Sequence, residues 1–213
     1  MARQLRKPSG SRGLKVGDMM NRANEFLYDQ TFAIMNPAAG EHLLEIGFGN
    51  GRFFGKFLQE PASIRMKGID SSAGMVHAAR QLNQQAIEAG LLEICQGSSA
   101  SLPYPDAHFD RIFCINVIYF WDHPGEHLAE VKRVLKPGGR FYATIRTRES
   151  MELMPFTKYG FRKYDEAGWD NELRSAGLQL EQARSIQEPE VEFQGKGFSI
   201  QSLCLIAVKK AQA

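Results

Sequence analysis

The chain has 213 residues, 43% of them hydrophobic and 23% charged, with a formal net charge of +2. That suits a soluble globular protein of one sizeable α/β domain or two small ones. The near-balanced charge makes no case for nucleic acid across the whole chain, and no apolar run approaches the roughly 18 residues that span a bilayer.

Residues 1–16 read as a flexible basic tail. Arg3, Arg6, Lys7, Arg12 and Lys15 all precede Asp18, the first acid, among Pro8, Ser9, Gly10 and Gly13. An organelle transit peptide is the sharper alternative, but the apolar periodicity it needs is missing. No secretory signal is visible. Cys95, Cys114 and Cys204 lie far apart in apolar, strand-like contexts. They read as reduced, mostly buried thiols of a cytoplasmic protein, and nothing has zinc-site spacing.

Residues 17–40 show helical spacing at Met20, Phe26, Leu27 and Ile34, stopped by Pro37 and Gly40. "HLLEI" is a strand before glycines, and "GRFFGKFLQE" is an amphipathic helix ending before Pro61. "IRMKGID" is a strand, and "SAGMVHAARQLNQQAIEAG" is one long helix closed by Gly90. "LLEICQG" and "FDRIFCINVIYF" are further strands. "DHPGEHLAEVKRV" is a helix that stops at Pro137-Gly138-Gly139, "RFYATI" a strand, and "DEAGWDNELRSAGL" a helix. "LQLEQARSI" and "FSIQSLCLIAV" close the chain as two strands. This alternation predicts a parallel sheet flanked by helices, with a ligand at the carboxyl ends of the strands.

The turn "LLEIGFGNGRF" carries the chemistry. Gly47 allows a sharp turn off the strand, Gly49 lets backbone approach a ligand, and Gly51 allows close packing of the next helix. The third glycine comes one position early for a dinucleotide fingerprint. Glu45 would also sit close to a pyrophosphate, whereas a ligand bearing an ammonium group tolerates it. Asp70, ending the second strand, suits two ribose hydroxyls or a plain helix cap.

The ordered segments "LLEIGFGNG", "GIDSSAGMV", "CQGSSASLPYPDAHFDRIFCINVIYFW" and "VKRVLKPGGRF" resemble class I S-adenosylmethionine-dependent methyltransferases, most of all the small-molecule group. The resemblance covers about half the chain. It implies a Rossmann-like fold with a seven-stranded, mostly parallel sheet, helices on both faces and a C-terminal antiparallel strand pair that reverses one edge strand. It implies S-adenosyl-L-methionine as cofactor, with S-adenosyl-L-homocysteine as product, and a small-molecule acceptor. Residues 17–213 would be one methyltransferase domain, with 17–40 a helical lid and 146–164 a substrate-side loop.

Carried onto this chain, the resemblance sets Gly47, Gly49 and Gly51 against the methionine part, with Glu45 bracing the loop. Asp70 would hold the ribose, and Ser71 and Met75 would flank the adenine. Ser98 stands where the family usually has an Asp that binds the adenine amine. A neutral acceptor there is weaker, which shifts recognition toward the Ser99 backbone. Asn116 would lie beside the reactive methyl. Ser98 and Ser99 also read as an ordinary turn, and Asn116 as a partner for buried backbone.

Methyl transfer by in-line displacement demands placement and water exclusion more than a fixed base. Tyr119, Phe120, Trp121 and His123 are expected to line the acceptor pocket, with His123 and Tyr119 the candidates for chemistry. Val117 and Ile118 replace the paired prolines of base-modifying methyltransferases. "WDNE" lies inside a predicted helix, so no metal is expected. Arg146, Arg148, Lys158, Arg162 and Lys163 raise the prospect of a negatively charged acceptor, beside aromatic Phe156, Tyr159, Phe161 and Tyr164. The alternatives are an RNA or protein methyltransferase on the same fold, and a cofactor-binding module without transfer activity.

Overall fold

The computed structural model describes residues 2–58, 64–193 and 196–211. Seven strands form one sheet: β1 (His42–Ile46), β2 (Arg65–Asp70), β3 (Leu92–Gln96), β4 (Phe109–Ile115), β5 (Leu135–Arg146), β6 (Gln179–Gln187) and β9 (Gln201–Val208). Their order is β3-β2-β1-β4-β5-β9-β6. The first five strands pair in parallel, and β9 runs antiparallel to both neighbours. The antiparallel pair is therefore present as expected, but the reversed strand sits one place in from the edge and β6 takes the edge. Two short strands, β7 (Val191–Phe193) and β8 (Lys196–Phe198), form a separate hairpin between β6 and β9.

Period-two alternation sends side chains to two cores. Leu44, Ile46, Ile112 and Cys114 pack on one face with Leu128, Val131, Trp169 and Leu173. These come from helices α6 (Pro124–Val134) and α8 (Glu166–Ser175). Leu43, Phe113 and Ile115 face the other way, onto Leu27, Phe54, Phe57, Val76 and Ala79. Those belong to α2 (Gly10–Met35), α3 (Phe54–Leu58) and α4 (Ala73–Leu82). Glu45 shares its face with Leu43, so β1 carries a carboxylate under α2 as a consequence of strand geometry alone.

The boundary expected at residues 16 and 17 does not exist. Helix α1 (Ala2–Arg6) is followed by α2, which runs unbroken from Gly10 to Met35. Glycines 10, 13 and 17 carry low helix propensity, so tertiary contacts decide the conformation. Ser72 Oγ donates to the Pro8 carbonyl at 2.6 Å, and Gly17 leaves room for the Met75 sulfur. The long helix expected before Gly90 is two helices, α4 and α5 (Gln84–Glu88). Asn83 breaks it, its amide donating to Gly51 O at 3.0 Å and Ala79 O at 2.9 Å. The helix stop expected at Pro61 lies outside the described residues.

Candidate functional site

The strand order reverses between β1 and β4, which opens a crevice at the carboxyl ends of β1, β2 and β4. A cavity of about 450 Å³ occupies it. Gly47, Gly49, Asp70, Ser71, Ser98, Ser99, Asn116 and His123 all line it, together with Leu5, Met20 and Asn24 from the N-terminal helices and Lys7 between them. A larger concavity of about 770 Å³ lies around His42, Arg65, Leu92 and His108. It sits at the amino ends of the strands, where this class of sheet does not bind ligands.

All three glycines of the turn adopt left-handed backbone, with φ of +76°, +60° and +70° for Gly47, Gly49 and Gly51. Their roles differ. A Cβ on Gly47 would meet Val117 at 2.5 Å, and one on Gly51 would meet Ala79 at 2.7 Å. A Cβ on Gly49 would meet nothing. Gly51 thus packs the turn onto α4 and is not part of the cavity wall. Gly51→Ala should destabilise the fold by about 2–3 kcal/mol through overpacking and backbone strain. Gly49→Ala should cost roughly 1–2 kcal/mol for the left-handed backbone alone. Urea unfolding of the two variants checks the order.

Asp70, and not Glu45, braces the loop. Its carboxylate accepts from Gly49 N at 3.0 Å and from Ser72 N at 2.8 Å. Burial raises its pKa to about 6, while the two amides and nearby Lys7 pull it back. Glu45 lies beneath, accepting from the Tyr28 hydroxyl at 2.5 Å. Burial lifts it to about 8, with the Tyr28 bond opposing and Asp70 reinforcing. No cation pairs with either carboxylate among the described residues. Asp70 therefore lines the cavity with Glu45 buried beneath it, and Lys7 is the nearby cation that acts on Asp70. Met75 is buried behind the wall, and Ser71 lines it.

At the opposite end, Ser99 Oγ lies 2.7 Å from His127 Nδ1. The His127 ring stacks on Trp121 at 4.5 Å and 1°. Burial holds this histidine neutral, at a pKa of about 4. Nothing in the spacing of His127 marked it in the sequence. Arg6 of α1 pairs with Asp122 across the rim.

A second, smaller pocket of about 100 Å³ adjoins the cavity and shares Leu5, Met20, Asn24, Asn116 and Phe120 with it. Tyr119, Phe156 and Phe161 line it, with Met19, Met151 and Met154. Trp121 and His123 do not: they face the larger cavity. Tyr164 turns inward onto Trp169, and Tyr159 is exposed. The basic residues expected to attract an anion are largely spoken for. Arg146 pairs with Glu188, Arg148 with Asp165 and Arg162 with Glu172. Burial holds the Tyr119 phenol protonated, well above its ordinary pKa. Among the described residues no cluster of three or more His, Cys, Asp or Glu could hold a metal ion. No described helix is long and apolar enough to cross a membrane.

The sheet order with its reversed penultimate strand and the glycine-turn cavity define a class I S-adenosylmethionine-dependent methyltransferase fold. Residues 44–143, a little under half of the chain, match the family model described as "Methyltransferase domain". It is 28% identical over 136 residues to the "Uncharacterized methyltransferase YdaC" of Bacillus subtilis, covering 63% of this chain and 72% of YdaC. It is 29% identical over 174 residues to the "Fatty-acid O-methyltransferase" of Mycolicibacterium smegmatis, covering 81% of this chain but 56% of that protein. In shape it is similar to a chain of a solved Haloferax volcanii complex between a methyltransferase activator and a methyltransferase. That match has a TM-score of 0.78 and 21% identity, and covers 92% and 94% of the two chains.

Proposed function

We propose that this protein transfers a methyl group from S-adenosylmethionine to a small apolar acceptor held in the methionine-lined pocket. The observation that carries the reading is the junction of the two cavities at Asn24, Asn116 and Phe120. An acid-floored cavity on one side fits a cationic donor, and an apolar pocket on the other fits an uncharged molecular body. When bound, the donor supplies a methyl group already activated on a positively charged sulfur.

The chain's own residues do the rest. Gly49, with open space where a Cβ would be, admits close backbone approach. Asp70 keeps lone pairs for ribose hydroxyls beyond the two amides it already binds. The Glu45–Asp70 pair favours the ammonium and sulfonium charges. Ser71 and Ser98 face the adenine region, with Ser99 and its neutral partner His127, and buried Met75 backs the wall. Helix α2, whose Met20, Asn24 and Tyr28 line the cavity, is assigned the lid role that would exclude water. His123 faces the donor cavity and not the acceptor pocket, so a base role there is not proposed.

The likeness to a fatty-acid O-methyltransferase supports an apolar acceptor. The pairing of Arg146, Arg148 and Arg162 argues against an RNA-binding face. Calorimetry with S-adenosylhomocysteine is expected to give one site of micromolar affinity. No heat at millimolar ligand would overturn the cofactor reading.

A further inference from the structure

A polar seam runs between the two cavities. The backbone N–H of Arg146 can only donate, and it donates to the Tyr119 hydroxyl oxygen. The Tyr119 hydroxyl has two acceptors, Asn116 Oδ1 at 2.8 Å and the Arg146 carbonyl at 3.4 Å, and the shorter contact is the one to Asn116. Asn116, held at a left-handed φ of +57°, then donates from Nδ2 to Asn24 Oδ1 at 3.0 Å. The chain of donors ends at Asn24 Nδ2, which has no hydrogen-bond partner among the described residues and borders both cavities. Arg146 also donates to the Ala23 carbonyl, fixing α2 next to this end.

We propose that Asn24 binds the nucleophilic oxygen of an apolar carboxylate, an acceptor that arrives already ionised. The inference rests on the methyl-transfer reading and names its substrate class. The seam ends in a donor, which suits an anion. The free end of the seam offers an N–H, which a carboxylate oxygen can accept, whereas an ammonium group brings only further donors to it. The pocket also contains no Asp, Glu, His or Lys among its described residues, so nothing there removes a proton from an alcohol.

A carboxylate needs no base. One of its lone pairs forms the O–CH3 bond as the C–S bond breaks, with that pair left on sulfur as a thioether. The products are a methyl ester and S-adenosylhomocysteine, and no proton is exchanged. The apolar body finds a deformable wall, since four of the chain's eight methionines (Met19, Met20, Met151 and Met154) line this one pocket. Leu153, Phe156 and Tyr159 are exposed on the adjoining segment and extend that apolar surface outward.

The test is calorimetric binding of octanoate, octanol and octylamine to the purified chain, with and without saturating S-adenosylhomocysteine. Octanoate is expected to bind at least about tenfold more tightly than octanol, and octylamine least. Asn24→Asp keeps an oxygen for Asn116 but replaces the terminal donor with an anion, and should weaken octanoate at least about tenfold while sparing octanol. Equal binding of octanoate and octanol to the wild-type chain would overturn the proposal whether or not the variant folds. So would an Asn24→Asp protein that loses S-adenosylhomocysteine yet keeps octanoate, because Asn24 would then serve the donor. Octanoate preference without S-adenosylhomocysteine binding would leave this inference standing and fell the cofactor reading instead.

Discussion

Asp70→Ala should abolish measurable binding of S-adenosylhomocysteine, with affinity falling at least about 100-fold. The carboxylate does two jobs on this account. It holds the glycine turn and the start of α4 through Gly49 N and Ser72 N, and it presents acceptors to the ribose. Hydrogen bonds to a charged group contribute about 1.5–3 kcal/mol each, so losing the ribose pair alone reaches that figure. Asp70→Asn separates the roles. Its single oxygen satisfies only one of the two amides, and its NH2 opposes the other donor, so an intermediate loss of roughly tenfold is expected. Calorimetry gives the affinities, and a thermal melt shows whether the fold survives. Robust binding by Asp70→Ala would remove the ribose assignment.

Glu45→Gln should stabilise the ligand-free protein at pH 8 and abolish much of its pH dependence. The folded-state pKa of Glu45 is raised to about 8, from an ordinary value near 4.5, chiefly by burial. Between those values the folded chain keeps a proton that the unfolded chain has released. Stability from this group is therefore full below about pH 4.5 and is lost as pH rises through 8. Asp70, raised to about 6, adds the same trend at lower pH. The wild-type melting temperature should fall from pH 5 to pH 8, by roughly 5 °C or more if two pH units each cost about 1.4 kcal/mol. The glutamine mimics the protonated acid and still accepts from Tyr28. A cationic donor reverses the penalty, so its binding should release a proton near pH 7, read as buffer-dependent heats, and Glu45→Gln should lose that release. A flat wild-type melting profile from pH 5 to pH 8 would contradict the buried-acid account.

The central part of this architecture was legible because it obeys short-range rules. A strand, three glycines at fixed spacing and an acid ending the next strand are sequence-local, and Gly47, Gly49 and Asp70 meet at one cavity. The errors lie where distant contacts decide. Gly10 and Gly13 read as part of a flexible tail, yet a helix runs through both, with the Pro8 carbonyl just ahead of it held by Ser72. Asn83 looks like an ordinary helical residue until its amide finds Gly51. The resemblance sets Glu45 against the loop, but strand alternation points it at Tyr28, and Asp70 takes the bracing role. The charges after β5 suggested an anion site because their partners, Glu188 above all, are far away in the chain. The Asn24–Asn116–Tyr119 seam joins three elements, and only its hydrogen-bond polarity, invisible in sequence, gives it chemical meaning.

The most direct test of the transferase reading is to incubate the purified chain with methyl-labelled S-adenosylmethionine and a cell extract, then identify the labelled product by mass spectrometry. A labelled, apolar product that releases its methyl on alkaline hydrolysis is the predicted result. Micromolar S-adenosylhomocysteine binding with no label transferred to any fraction would contradict the transferase account and leave a cofactor-binding module in its place.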